Sequence, residues 1–326
     1  MTTARTVFLL LPLLALAGCA RAGSGPAAAG GDVNGERVLR DVGVLAADSM
    51  QGRRTGQPGG ARARAYLLGE YRRMGLEPAV PGYTQPFDFT GRRDSVRYQG
   101  VNLLGRVRGT RNPDRWIVVS AHYDHMGVGR AVNGDSIYNG ADDNASGTAA
   151  LLEMARWFRA HPPQSSILFA LWDAEEMGLQ GARAFVASPT VPKEAIVLNV
   201  NMDMVSHSNR GELYAAGAFH SPFLRPYLEE AAGRAPVKLL LGHDRPVPTP
   251  QDDWTAQSDQ GAFHQAGIPF VYFGVEDHPD YHQPSDEVRT ITPEFYVGAV
   301  RTILDVVRTL DRGVPDIDRA RAAAAP

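Results

Sequence analysis

The 326-residue chain carries 33 basic and 36 acidic side chains, for a net charge of −3, and 44% of its residues are hydrophobic. That suffices for one large α/β domain or two small ones, while the near-balanced charge, with no basic run interleaved with aromatics, leaves no electrostatic case for a nucleic-acid partner. Cys19 is the single cysteine, so a disulfide within the chain is excluded.

Residues 1–19 read as a targeting segment: Arg5 supplies positive charge, Val7 to Ala17 an apolar run, and Leu16-Ala-Gly-Cys19 closes it. The tetrapeptide resembles a bacterial lipobox, which implies cleavage before Cys19 and a membrane anchor through a lipid on that residue. The apolar run is too short to span a bilayer as a helix. Ala20 after the cysteine resembles the pattern sorted to the outer membrane, so the expected location is the cell envelope, with the folded part facing the periplasm or the exterior. The small residues over 20–35 suit a flexible linker.

From Glu36 the apolar positions Val38, Leu39, Val42, Leu45 and Ala46 recur at helical spacing, and a second helix over 61–74 follows the Gly/Pro-rich stretch 51–60. Strands are predicted over 85–90, part of 96–107, 116–121, 166–172, 196–202, 212–215 and 269–273. The runs from Trp116, Ile167 and Ala195 are continuously apolar, as strands covered on both faces are. Helices over 146–160, 178–187, 222–232 and 293–310 separate them. The alternation predicts an α/β fold: a three-layer α/β/α sandwich on a central mixed, mostly parallel sheet. The folded domain is placed at 36–315, with the Ala-rich end, 316–326, expected to be a disordered tail.

Candidate chemistry gathers where strands end. The Gly-flanked turn Asn139-Gly-Ala-Asp-Asp-Asn-Ala-Ser-Gly147 sets Asp142 at the carboxyl edge of the sheet, where open α/β sheets bind ligands. Alone it is as well read as an Asx-rich turn capping the next helix. His122 with Asp124, Glu175 with Glu176, Asp203, and His282 each follow a different predicted strand, and chance placement of all of them is a poor account. Two imidazoles with several carboxylates suit the borderline character of Zn²⁺. Asp124, two residues from His122, is placed to accept the other ring N–H and fix its tautomer.

These blocks resemble the bacterial zinc exopeptidase family that includes leucyl aminopeptidases with two co-catalytic zinc ions and, more distantly, glutamate carboxypeptidase II. The matching residues are Ser120-Ala-His-Tyr-Asp-His125, the stretch 134–147, Asp173-Ala-Glu-Glu-Met-Gly-Leu179, Asn201-Met-Asp-Met204 and Tyr281-His-Gln-Pro-Ser-Asp286, with family-like blocks also at 47–56 and 258–269. The resemblance implies that Asp142 bridges two zinc ions, one also taking Glu176 and His282, the other His122 and Asp203. It implies Glu175 as general base, Asp124 as the residue orienting His122, and Tyr281 as a group steadying the tetrahedral intermediate. Gln260 stands where many relatives have His, which bears on the substrate pocket rather than on the metal site.

The implied activity is hydrolysis of a peptide at its N-terminal residue. A carboxypeptidase or a glutaminyl cyclase on the same scaffold are the alternatives; a non-catalytic binding protein would have lost ligands or base, and none of these positions is substituted. A carboxypeptidase needs a cation for the terminal carboxylate, and Arg130, Arg210 and Arg245 lie in loops that could supply one. Trp254 lies on the candidate pocket rim, 242–259. The oligomeric state is not legible in the sequence.

Overall fold

The computed structural model describes residues 33–92, 94–246 and 252–324, with Thr2 and Thr249. Apart from Thr2, the expected targeting segment 1–19 with Cys19, and the expected linker up to residue 32, lie outside the described residues. The elements run α1 (Gly35–Leu45), α2 (Pro58–Arg73), β1 (Glu77–Pro78), β2 (Thr84–Thr90), β3 (Arg97–Val107), β4 (Asn112–His122), β5 (Gly127–Val132), β6 (Asp135–Tyr138), α3 (Gly147–Ala160), β7 (Ser165–Trp172), α4 (Gln180–Ala187), β8 (Ile196–Met202), β9 (Glu212–Ala216), α5 (Arg225–Ala232), β10 (Lys238–Leu241), α6 (Gln260–Gln265), β11 (Phe270–Gly274) and α7 (Pro293–Ala324). The folded body begins slightly before the expected residue 36: Val33 is buried and the Asn34 side chain caps α1 by accepting from the Arg37 N–H.

The main sheet has the order β1-β3-β7-β4-β8-β11-β9-β10, with β2 also on β3. Its centre is parallel, β4 with β7 and β8, and β8 with β11, as β9 is with β10. Antiparallel pairings join β1, β2 and β7 to β3, and β11 to β9. Each central strand is buried on both faces because successive side chains point opposite ways. Along β4, Ile117, Val119 and Ala121 enter one core with residues of α1, α2, α3, α5 and α7. Trp116 and Val118 enter the other, with Ala182 and Phe185 of α4 and Ala262 and Phe263 of α6. This is the expected three-layer arrangement.

The C-terminal end departs from expectation. α7 continues through 316–324 instead of fraying, although Gly313 and Pro315 are helix-weakening residues. Its apolar stripe persists beyond them, with Val314 and Ile317 buried, and Gly313 leaves room for the Tyr227 ring of α5, which a β-carbon there would strike. Arg115 pairs with Asp318, and Arg321 donates to the Ile196 carbonyl at 2.6 Å, fastening the last turns to the sheet. Residues 325–326 lie outside the described residues.

Candidate metal centre

Four strand ends converge. β4 delivers His122 and, beyond it, Asp124 and His125; β7 leads to Glu175 and Glu176; β8 leads to Asp203; and the loop after β11 carries Tyr281 and His282. Between β6 and α3 the irregular turn 141–146 brings in the two aspartates. His122 Nε2 lies 3.1 Å from Asp203 Oδ1 and 3.3 Å from Asp143 Oδ1. His282 Nε2 lies 3.1 Å from Asp143 Oδ2 and 3.3 Å from Glu176 Oε2. Donor atoms about 2.1 Å from one tetrahedral Zn²⁺ would stand about 3.4 Å apart, so both groups have the spacing of ligands on a common ion.

The turn corrects the assignment of the shared carboxylate. Asp142 is buried but faces away from the imidazoles of His122 and His282: its Oδ1 accepts from the Ser206 N–H and hydroxyl, both at 2.7 Å, and its Oδ2 lies 3.1 Å from His278 Nε2. Asp143 is the residue set between the two groups. Its backbone leaves the helical turn at φ −101°, ψ 97°, and the two adjacent carboxylates take different directions, Asp142 toward Ser206 and His278 and Asp143 toward His122 and His282. Asp286 pins the turn, accepting from the Asp142 and Asp143 N–H groups at 2.9 and 3.0 Å. Burial and the charge of Asp142 raise its carboxyl to about 6. Gly140, at φ +56°, permits the turn, since a β-carbon would sit 2.0 Å from the Asp143 carbonyl oxygen.

The orientation of His122 also differs in detail from expectation. Its Nδ1 is 3.2 Å from the Asp124 backbone carbonyl and 3.7 Å from the Asp124 carboxylate. A carbonyl only accepts, so Nδ1 carries the proton and the Nε2 lone pair faces Asp143 and Asp203. The Asp124 carboxylate instead accepts from the Glu175 N–H at 3.0 Å, fixing the backbone of the candidate base. A lone pair aimed at two carboxylates calls for a cation between them. The same field acts on a proton: burial lowers the His122 basicity, but Asp203 and Glu175 outweigh it and the net shift is upward. For His282 burial is likewise outweighed, by Asp143 and Glu176, and its pKa rises to about 10. Burial, joined by Asp259, Glu176 and Asp203 and opposed by His122, lifts the Glu175 carboxyl well above the usual range.

A model of peptidase family M28 matches residues 102–307. The chain belongs to that family. A probable zinc metalloprotease of Pyricularia oryzae is 37% identical over 265 residues, covering 71% of this chain and 50% of that protein. Aminopeptidase YwaD of Bacillus subtilis is 32% identical over 205 residues, 59% of this chain and 41% of that one. The chain thus spans half or less of each relative's length. The solved aminopeptidase from Aneurinibacillus sp. strain AM-1 superposes with a TM-score of 0.69 at 15% identity over 85% of this chain and 94% of its own, a similarity of fold.

The M28 segment contains every donor named above, but residues absent from the sequence-based site complete it. His125 Nδ1 is 2.7 Å from Glu176 Oε1 and orients that carboxylate; it shares the strand end that drew attention to His122. Arg53, before the matched segment, is fully buried and donates to the carbonyls of Leu45, Tyr123, Asn139, Gly140 and Asp143. It ties the turn to α1 and to the end of β4. Gln260 is a structural link, accepting from Asn201 at 3.0 Å and donating to the Trp254 carbonyl at 2.7 Å.

A cavity of about 70 Å³ opens on the centre, lined among others by Glu175, Asp203, Trp254, Tyr272, Asp277 and Tyr281. Tyr281 lies against His282, ring centroids 4.0 Å apart. Trp254 is buried and stacked on His243 at 3.7 Å, so it is both wall and packing residue. Arg210 pairs with Glu212, and Arg245 lies over the Phe219 ring. Neither they nor Arg130 line this cavity, and no Arg or Lys is among its described lining residues.

Proposed function

We propose that the chain is a two-zinc aminopeptidase, releasing the N-terminal residue of a peptide. The observation that carries this reading is the pair of donor groups sharing Asp143, open to a cavity whose described lining has carboxylates and aromatics but no Arg or Lys to receive a terminal carboxylate. A free α-amine suits such a lining, and a C-terminal carboxylate does not.

One position would be held by His122, Asp203 and Asp143, the other by His282, Glu176 and Asp143, with His125 steering Glu176. Zinc at such positions supplies Lewis acidity toward the scissile carbonyl and lowers the pKa of a water. The chain's own part is proton handling and alignment. Glu175 takes one proton from the attacking water as its oxygen bonds to the carbonyl carbon, then delivers it to the departing nitrogen as the C–N bond breaks. A carboxyl whose proton affinity is raised by burial suits both halves of that task. Asp124 holds Glu175 in place through its N–H, and Tyr281, at the cavity wall, is positioned to donate to the oxyanion. Attachment through a lipid on Cys19, with the enzyme facing the periplasm or exterior, is part of the same proposal; it rests on the sequence of residues 1–19.

The test is hydrolysis by the zinc-loaded full chain of aminoacyl reporters, their N-acetylated counterparts, C-terminal reporters and glutaminyl peptides. Cleavage confined to free-amine substrates supports the reading; cyclisation of glutaminyl peptides or cleavage from the C-terminus replaces it.

A further inference from the structure

On the far side of Asp142 the loops that follow β8 and β11 face each other across a cavity of about 220 Å³, walled in part by His207, Asn209, Glu212, Glu276 and His278. The rings of His207 and His278 lie 4.0 Å apart, tilted by 32°. A stacked histidine pair is by itself an ordinary packing feature, and its unpartnered ring nitrogens are what set this one apart. The His278 side chain is only 7% exposed, and its Nε2 lies 3.1 Å from Asp142 Oδ2. Asp142 accepts from the Ser206 N–H and hydroxyl through its other oxygen, and its Oδ2 is the acceptor that a proton on His278 Nε2 faces. In the neutral ring the Nδ1 of His278 is thereby left as a lone pair. It is buried without a hydrogen-bond partner among the described residues, and so is His207 Nδ1. Facing His278 Nδ1 is Asp280 Oδ2 at 3.9 Å, too far for a hydrogen bond and anionic besides. Ligand atoms of His207, His278 and Asp280 all lie within 4.8 Å of one another. A buried, unpartnered ring nitrogen of His278 within reach of a second imidazole and a carboxylate is the arrangement a cation requires.

We propose that His207, His278 and Asp280 form a further metal site, separate from the pair centred on Asp143, which takes a divalent ion of the zinc class. Two imidazole nitrogens and one carboxylate suit Zn²⁺ and its neighbours in the first transition row, whereas Mg²⁺ and Ca²⁺ favour all-oxygen sets. Asp142 is the outer partner: a carboxylate accepting the second N–H of a metal-bound histidine fixes its tautomer and raises its basicity. The same side chain is the immediate neighbour of Asp143, and the turn holding both is pinned by Asp286. Binding of an ion at His278 is thus coupled to the turn that carries the shared carboxylate. Three protein donors and an adjoining cavity leave a fourth position for water or a small anionic ligand.

The experiment uses the full chain, incubated with Zn²⁺ at micromolar concentration and desalted, with zinc counted per chain and crystals measured at the zinc absorption edge. Wild type is expected to hold one zinc more than either His207→Asn or Asp280→Asn, with an anomalous peak beside His207. Asp142→Asn is expected to weaken that one ion by about 10–100-fold. Because the readout is a difference and a position, it holds whatever the paired centre contains, so its failure is distinct from failure of the aminopeptidase reading. Equal zinc content in wild type and both variants, or no peak at His207, overturns the proposal. If one variant misfolds by circular dichroism, the other variant and the wild-type peak still decide.

Discussion

Replacing Asp143 with Ala, beside Asp142 with Asn, separates two residues that the sequence presents as equivalent. Each Asp143 oxygen serves a different donor group, with Oδ1 3.3 Å from His122 Nε2 and Oδ2 3.1 Å from His282 Nε2. Its removal takes one of three protein donors from both positions at once. Loss of an outer hydrogen-bond partner typically costs about 10–100-fold in metal affinity, and loss of a direct donor exceeds that. Zinc affinity is therefore expected to fall by more than about 100-fold, or about 2.7 kcal/mol, at both positions together. Asn at 142 keeps an oxygen for the Ser206 donors, so that variant should hold at least two zinc ions, with a stability cost of about 1–3 kcal/mol from the altered His278 contact. Titration calorimetry with Zn²⁺, paired with thermal unfolding, reads both quantities. Retention of both ions by Asp143→Ala, or loss of both by Asp142→Asn, would refute the assignment.

Two further outcomes follow from the geometry. Glu175→Gln should lower kcat by about 10²–10⁴-fold with zinc content unchanged; activity within tenfold of wild type would remove Glu175 from the proton path. Arg53→Lys replaces a five-donor fork by three donors on one nitrogen, leaving at least two of the carbonyls of Leu45, Tyr123, Asn139, Gly140 and Asp143 unserved. The expected loss is at least about 2 kcal/mol, visible as a lower Tm, and an unchanged Tm would show that the fork is not what holds the turn.

The sheet was legible where burial dictates composition. The apolar runs that became β4, β7 and β8 announced themselves because both faces are covered, and the polar residues after them marked the site. The hairpin β5–β6 was missed because its strand residues are mostly exposed and lie among the motifs. Yet Asn133 and Gly134, at φ 51° and 88°, form its two-residue turn, and Asn-Gly is the strongest short hairpin signal available. The choice between Asp142 and Asp143 turns on backbone direction, which residue identity does not carry. Arg53 acts through backbone carbonyls, partners with no side-chain signature, so the family-like block 47–56 marked its segment but not its role. His125 was within reach: the strand-end logic that selected His122 and Asp124 applies equally to the residue after them. The helix beyond Gly313 and Pro315 was hidden because local propensity argued against it, while packing of Val314 and Ile317 and the Asp318 and Arg321 contacts outweigh it.

The most direct measurement is the kcat/KM of the zinc-loaded full chain on a panel of aminoacyl 4-nitroanilides against the same compounds acetylated at the α-amine. A two-zinc aminopeptidase hydrolyses members of the first set and loses that activity on acetylation. Equal turnover of the acetylated set, or no turnover of any free-amine substrate with both zinc positions filled, would contradict it.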